Sequence, residues 1–549
     1  MPDRAPAGAS APPSAASWSG RAGLAAALAA LCAIAFAFVR QPGISSVFDD
    51  SVSYLTLARF YSGLDAPWAL HYTWFPPLFP LLLAAIGGGT HFARAHVFVA
   101  ACAMAALPLV YRHAARRFGR PDAALLAVVL FELTATAWVS IQSILSEPTF
   151  LLVTMASLVF FEARLVATPR DRDRWIFGLM MAAALLTRVA GVFLVVAYVA
   201  HLGVRWLRRA GRPGAIALVP LVPPMVLALA WRLLRPMQGA DDYDRATSAV
   251  VHGWLTRAPE VVGPAVKTLF EGWVASFAGG SDVAAVTAIV LAIVALLALA
   301  GTALRVRCNA LDGWYVSIML LAVFALYVNE DTTRRYLYPI LPLLLVNAGV
   351  AIAALARRLP RRAGAAFIAL AAAAPVVACL PALALLAQKA LDGRPVLDGF
   401  PVRYSDMTAY YTTVDLARSQ YLAATHAAVI SGFGAVASVT PAGAKVMWVR
   451  PEYVALLSRR AAEPWYYAWD ERTLARRIRD AGVEYVVVSA LYKADFAREL
   501  TDPGPIHRAV ARYAVPVLRI PNAISAEDDF VLMRVDREAL SAFLGHPPP

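Results

Sequence analysis

The chain has 549 residues, 60% of them hydrophobic and only 16% charged, and its mean hydropathy is +0.59. A soluble protein of this size is excluded by that balance, which is the signature of a polytopic membrane protein. The formal net charge of +13 does not indicate nucleic acid, because the arginines fall in short runs between apolar segments, where membrane topology accounts for them.

Residues 1–21 are rich in Ala, Pro and Ser and read as a disordered cytoplasmic tail ahead of an uncleaved first helix. Crossing a bilayer core takes about 20 apolar residues. Such segments lie near 22–40, 92–111, 122–140, 148–167, 214–235, 283–304, 313–329, 337–356 and 363–388. The stretch 175–204 has basic residues at both ends, so both ends belong on one side of the membrane. A pair of short helices turning at Thr187-Arg188 meets that requirement and brings the expected total to about eleven spans.

Arginines set the orientation. They crowd the connections around Arg112 to Arg120, Arg170 to Arg174, Arg205 to Arg212, Arg305 to Arg307 and Arg357 to Arg362, which are predicted to be cytoplasmic. The opposite face then collects an outer loop over 41–80, the junction Ser146-Glu147-Pro148, the turn at Arg188, an outer loop over 236–282, and residues 329–336. The transmembrane region runs over 22–388. Beyond it, over 389–549, β-type runs at 445–449, 485–489 and 515–520 alternate with a helical pattern at 471–481, which predicts an extracytoplasmic α/β domain. The four cysteines, Cys32, Cys102, Cys308 and Cys379, show no CxxC or Cys/His spacing, so neither a disulfide framework nor a zinc site is predicted.

The 41–80 loop holds the first chemistry. Asp49 and Asp50 follow the first span, and the spacing over 54–61 predicts an amphipathic surface helix carrying Tyr54, ahead of Trp74-Phe75-Pro76-Pro77. A carboxylate at the membrane surface can serve as a general base, although an acidic pair also simply marks a helix end in water. Glu147 shares the predicted face. It either favours a helix N-terminus after Ser146, orients an acceptor, or joins the aspartates around a divalent cation.

Arg188 at a helix turn needs an anion or a route to the interface. Arg334 and Arg335 can make forked contacts with phosphate oxygens or pair with the neighbouring Glu330 and Asp331, and Lys267 is a weaker phosphate candidate or a solvated charge.

Several stretches in order, FDDSVSYLTLARFYSG with PPLFPLLLA, LSEPTFLL, ALLTRVAGVFLV and RRYLYPILPLLLV, resemble the GT-C superfold of polytopic glycosyltransferases. They are similar to the protein O-mannosyltransferases and to the bacterial enzymes that add aminoarabinose to lipid A. The later stretches TPAGAKVMWVRPEYVALLSRRAAEPWYY and AGVEYVVVSALY resemble the extracytoplasmic domain of bacterial members. The resemblance implies an enzyme of a bacterial inner membrane that passes a sugar from a polyprenyl-phosphate carrier to a lipid, glycan or protein acceptor on the outer face. It places the base at Asp49 or Asp50, and it needs no nucleotide. A transporter of a lipid-linked or small substrate and a non-enzymatic membrane scaffold are the alternatives. The clustering of ionisable groups at helix ends, without repeated halves, argues against the transporter.

Overall fold

A computed structural model of the chain describes residues 50–64, 75–166, 170–208, 214–234, 240–280, 282–326, 330–391, 416–465, 470–489, 508–522 and 529–545. The predicted tail and first span, Asp49 and Trp74 lie outside the described residues.

The first elements are α1 (Asp50–Tyr61), α2 (Leu78–Ala85) and α3 (Phe92–Phe118), followed by α4 (Pro121–Glu132) and α5 (Ala135–Gln142). The segment predicted to cross at 122–140 is therefore a pair, bent by 66° between α4 and α5. The bend sits at Thr134, whose hydroxyl donates back to the Phe131 carbonyl at 2.6 Å and starts α5 by accepting from the Ala137 amide.

Next come α6 (Glu147–Phe160), continued by a π-helical turn over Phe161–Val166, then α7 (Asp171–Thr187) and α8 (Val192–Leu207). The chain breaks between α7 and α8 where the sequence predicts it. Arg188 is extended, and a single 3-10 turn, Val189–Gly191, starts the return. Only glycine fits at position 191, because a Cβ there would lie 2.3 Å from the Leu185 amide nitrogen.

A 3-10 turn over Ala215–Leu221 leads into α9 (Val222–Leu234). The segment 236–282, expected as an outer loop, contains a 39-residue helix, α10 (Ala240–Ala278). Pro259 and Pro264 lie within it, each removing one backbone donor. Indole anchors hold it in place: Trp254 donates to the Ala325 carbonyl at 2.6 Å and Trp273 to that of Leu291 at 2.9 Å.

Then follow α11 (Ala285–Arg307), α12 (Leu311–Leu326), α13 (Glu330–Leu337), α14 (Leu341–Ala356) and α15 (Arg361–Leu391). The 329–336 connection is thus mostly helical. Gly272 of α10 admits α13 so closely that a Cβ would meet Thr333 Cγ2 at 2.4 Å.

Among the described residues six helices are long and apolar enough to cross a membrane, or seven if the bent pair counts as one span. The expected eleven exceeds this because 22–40 is not described, α7 opens on the charged Asp171-Arg172-Asp173-Arg174, and α12 and α14 have only 16 residues each. With apolar side chains such as Leu233, Leu296 and Leu370 left exposed, the chain is an integral membrane protein.

The C-terminal part contains α16 (Leu416–Val439), β1 (Lys445–Trp448), β2 (Ala461–Pro464), α17 (Glu471–Asp480), β3 (Tyr485–Val488), β4 (Ala514–Ile520), β5 (Phe530–Val535) and α18 (Arg537–Leu544). The sheet order is β2-β1-β3-β5-β4. β1 pairs in parallel with β2 and β3, whereas β5 pairs antiparallel with β3 and β4.

The packing forms two large cores. One joins the helices α3 to α15; the other joins the sheet and α16 to α1, α2 and the first turns of α3. This corrects the surface placement of the helix at 54–61. In α1 everything from Ser51 to Arg59 is buried, because the C-terminal elements cover the face that its polar residues make look solvent-exposed.

Candidate functional site

The two cores meet at the N-terminus of α6, and the charged residues converge there. Glu147 opens α6 and is only 1% exposed. An isolated carboxylate at that depth would be costly, so it requires cations around it. Arg335 of α13 supplies one, reaching Oε1 from both Nε and Nη2 at 2.9 Å. Arg188, from the break between α7 and α8, supplies the other at 2.8 Å from Oε2. One buried carboxylate therefore holds two guanidinium groups contributed by helices far apart in sequence, one at the break between α7 and α8 and one in α13.

Arg335 also extends Nη2 to Asp50 Oδ2 at 2.7 Å. Asp50 is the first residue of α1 and keeps 34% of its side chain exposed. Arg188 donates to Ser146 Oγ at 3.1 Å and lies 5.8 Å over the Tyr336 ring. Ser146 shares a further hydrogen bond, 2.9 Å long, with the Tyr54 hydroxyl. Burial pushes the Tyr54 phenol above its ordinary range, with the nearby Arg188 charge opposing, so this hydroxyl stays protonated. Its ring packs edge-on against Phe75 and Phe79, with centroids 4.7 and 4.9 Å away.

A cavity of about 160 Å³ opens beside this cluster. Asp50, Tyr54, Arg188 and Arg335 line its polar end, and Phe193 of α8 with Met319, Val323 and Leu326 of α12 form an apolar wall. The helices of that wall border the bilayer, since Leu321 of α12 is 66% exposed and Val196 of α8 44%. The arrangement suits a ligand with an anionic head and a hydrocarbon tail.

Several expected placements change. Glu147 does not face the cavity; it sits behind the arginines and is occupied by them. Ser146 does not cap α6 through its side chain, because its own backbone is already helical and its hydroxyl bridges Tyr54 and Arg188. Of the Arg334-Arg335 pair only Arg335 lines the cavity, while Arg334 is buried at 4% exposure. Lys267 is solvent-exposed on α10 and pairs along the helix with Glu271 at 3.6 Å, so it takes no part in this cluster. Tyr336 and the bridging role of Ser146 escape the sequence reading; the SEP and RRY triplets carry them, but neither shows which helix the side chain will meet.

In the cluster around Arg188 and Arg335 both described carboxylates, Asp50 and Glu147, are engaged by Arg335. Among the described residues the group with cation-ligand geometry is His113, Glu162 and Asp312, whose ligand atoms lie within 4.8 Å of one another. It occupies the opposite end of α3 and α6. Its carboxylates already face arginines: Glu162 meets Arg117, and Asp312 accepts from Arg305 at 2.8 and 3.1 Å. Glu162 and Asp312, faced by Arg116, Arg117 and Arg305, form an ionic lock between helices.

No protein-family model matches the sequence, and no curated protein matches it either. Solved structures do share its fold. ArnT from Cupriavidus metallidurans bound to undecaprenyl phosphate matches at 13% identity and TM-score 0.52, over 95% of this chain and 98% of that one. The same protein in the apo state matches at 14% identity and TM-score 0.52, over 94% and 98%. The Archaeoglobus fulgidus oligosaccharyltransferase tethered to an acceptor peptide containing the NVT sequon matches at 12% identity and TM-score 0.51, over 96% of this chain and 78% of that one. The chain has the GT-C fold that its motifs resemble.

Proposed function

We propose that this protein is an integral-membrane glycosyltransferase that takes a sugar from a polyprenyl-phosphate carrier and transfers it to a lipid, glycan or protein acceptor on the outer face of the membrane. The observation that carries this reading is the pair Arg188 and Arg335, fixed by one buried carboxylate at the polar end of a cavity with an apolar wall. The two guanidiniums, held by Glu147 and in part by Asp50, present forked donors suited to the oxygens of a phosphodiester. The polyprenyl chain lies along Phe193, Met319 and Val323. A neighbour of the same fold, ArnT, was solved with undecaprenyl phosphate, which supports a lipid phosphate as the ligand.

The chemistry follows from the charges. The acceptor oxygen or nitrogen attacks the anomeric carbon, the bond from that carbon to the phosphate oxygen breaks, and polyprenyl phosphate leaves with the electron pair. The acceptor's proton passes to Asp49 or Asp50, of which Asp50 is at the cavity. As the leaving phosphate gains a negative charge the aspartate loses one, so the net charge of the site is unchanged through the step. The arginines therefore stabilise charge moving toward them without any change in the total they must balance.

Arg335→Lys tests the phosphate assignment. It keeps the charge but loses the fork that spans Glu147 and Asp50. The expected outcome is at least a tenfold loss of affinity for polyprenyl phosphate, measured on purified protein by lipid-binding titration, with a parallel loss from Arg188→Lys. Unchanged affinity in both variants would remove the phosphate role.

A further inference from the structure

A second cleft lies at the other end of the helical core, far from the cluster around Glu147. It has a volume of about 280 Å³ and runs between α4, α11, α14 and α15. Its body is apolar, formed by residues such as Leu126, Leu130, Val294, Ile352 and Ile368, and arginines rim one end. Arg117 is turned inward to Glu162 and Asp312. Arg120 and Arg357 are exposed at the mouth. Among the described residues Arg120 meets only the exposed Asp122, at 2.6 Å, a surface pair of small energetic worth. Arg357 has no carboxylate partner among the described residues, and the same holds for the exposed Arg358, Arg361 and Arg362 beside it.

This end gathers unbalanced positive charge at a site where the backbone adds more. Arg361 and Arg362 occupy the first turn of α15, where the helix dipole is itself positive and favours an anion. The depth is also informative. Along α14 the lining runs from Arg357 at the mouth to Leu345, twelve residues, or about 18 Å along an α-helix. That is comparable to the roughly 15 Å of one leaflet's hydrocarbon plus part of its headgroup layer.

We propose that this cleft binds one anionic phospholipid from the arginine-side leaflet, with an acyl chain against Val294 and Ile352 and the phosphate between Arg120 and Arg357. The occupant is a phospholipid of the surrounding leaflet and not the sugar carrier, because the cleft closes about one leaflet deep and lies at the end opposite Arg188 and Arg335. Charge complementarity selects a net-negative headgroup over a zwitterionic one.

The test uses the full-length protein purified in detergent and native mass spectrometry with dioleoyl phosphatidylglycerol or dioleoyl phosphatidylcholine as the added probe. The parent is expected to retain one phosphatidylglycerol and to prefer it to phosphatidylcholine at least tenfold. Arg120→Glu combined with Arg357→Glu removes that preference, and Ala353→Trp, which fills the apolar body, lowers retention of both lipids. The milder Arg357→Gln, at an exposed position that bears on no core contact, gives an intermediate preference. Equal retention of the two lipids by the parent would overturn the proposal. So would a preference that survives the double charge reversal, or one that is lost in Arg335→Gln instead.

Discussion

At the scale of single residues the decisive feature is that Glu147 is consumed by Arg188 and Arg335 while Asp50 is only partly so. The sequence places all four on one face, yet it cannot separate a carboxylate that organises arginines from one that takes a proton. Burial supports the proposed division, since Glu147 is 1% exposed while Asp50 keeps a third of its side chain open. Asp50→Asn is nearly isosteric and still accepts a hydrogen bond from Arg335, but it cannot take the acceptor's proton. Transfer is expected to fall by about a hundredfold or more, while affinity for polyprenyl phosphate changes little. The check is a turnover assay run beside a lipid-binding titration. Full activity in Asp50→Asn would move the base to Asp49.

At the scale of elements, legibility followed how local the determining forces were. The break at Arg188 was readable because two basic flanks must share a side of the membrane, a constraint contained within 30 residues of sequence. The strands β3 and β4 were readable from runs of β-branched residues, and β1 from a run of apolar and aromatic residues. By contrast β2, with the sequence AAEP, has almost no strand signal and exists because β1 offers it a parallel edge. The burial of α1 was equally hidden, since Ser51, Ser53, Thr56 and Arg59 look like a polar face until the C-terminal elements, more than 300 residues later, close over them. That the 236–282 segment is helical was not legible either, because its tertiary anchors, Trp254 and Trp273, meet carbonyls of other helices far along the chain.

The ionic lock at the opposite end gives an element-scale prediction. Asp312→Asn leaves Arg305 and Arg117 facing one carboxylate instead of two, which is expected to destabilise the helical core by about 3–5 kcal/mol. The readout is a lowered thermal midpoint, with donor affinity at Arg335 preserved in the protein that remains folded. An unchanged midpoint would mean that the lock contributes nothing to stability.

At the scale of the whole molecule, the GT-C fold was legible as an ordered set of short motifs, and the solved structures of the same fold bear that out. What the motifs could not supply was the join between the two parts. The sheet-bearing part and α1 share a core, and that shared core is what presents Asp50 to arginines held by the other core. By the positive-inside rule, the arginine-rich connections at the far end support the proposal that the Arg188 and Arg335 cavity faces the outer side. A reporter enzyme fused after residue 390 should accordingly be active only when it folds outside the cytoplasm, and cytoplasmic activity there would invert the proposed orientation of the site.

The central claim, sugar transfer from a polyprenyl-phosphate carrier, is tested most directly by the lipid-linked sugar profile of cells with the protein, without it, and with Arg335→Gln in its place. Lipid extracts analysed by mass spectrometry should show one polyprenyl-phosphate sugar accumulating when the protein is absent. That species should return to its basal level with the parent chain and stay elevated with Arg335→Gln. A profile identical in all three strains, or one restored as well by Arg335→Gln as by the parent, would contradict the account.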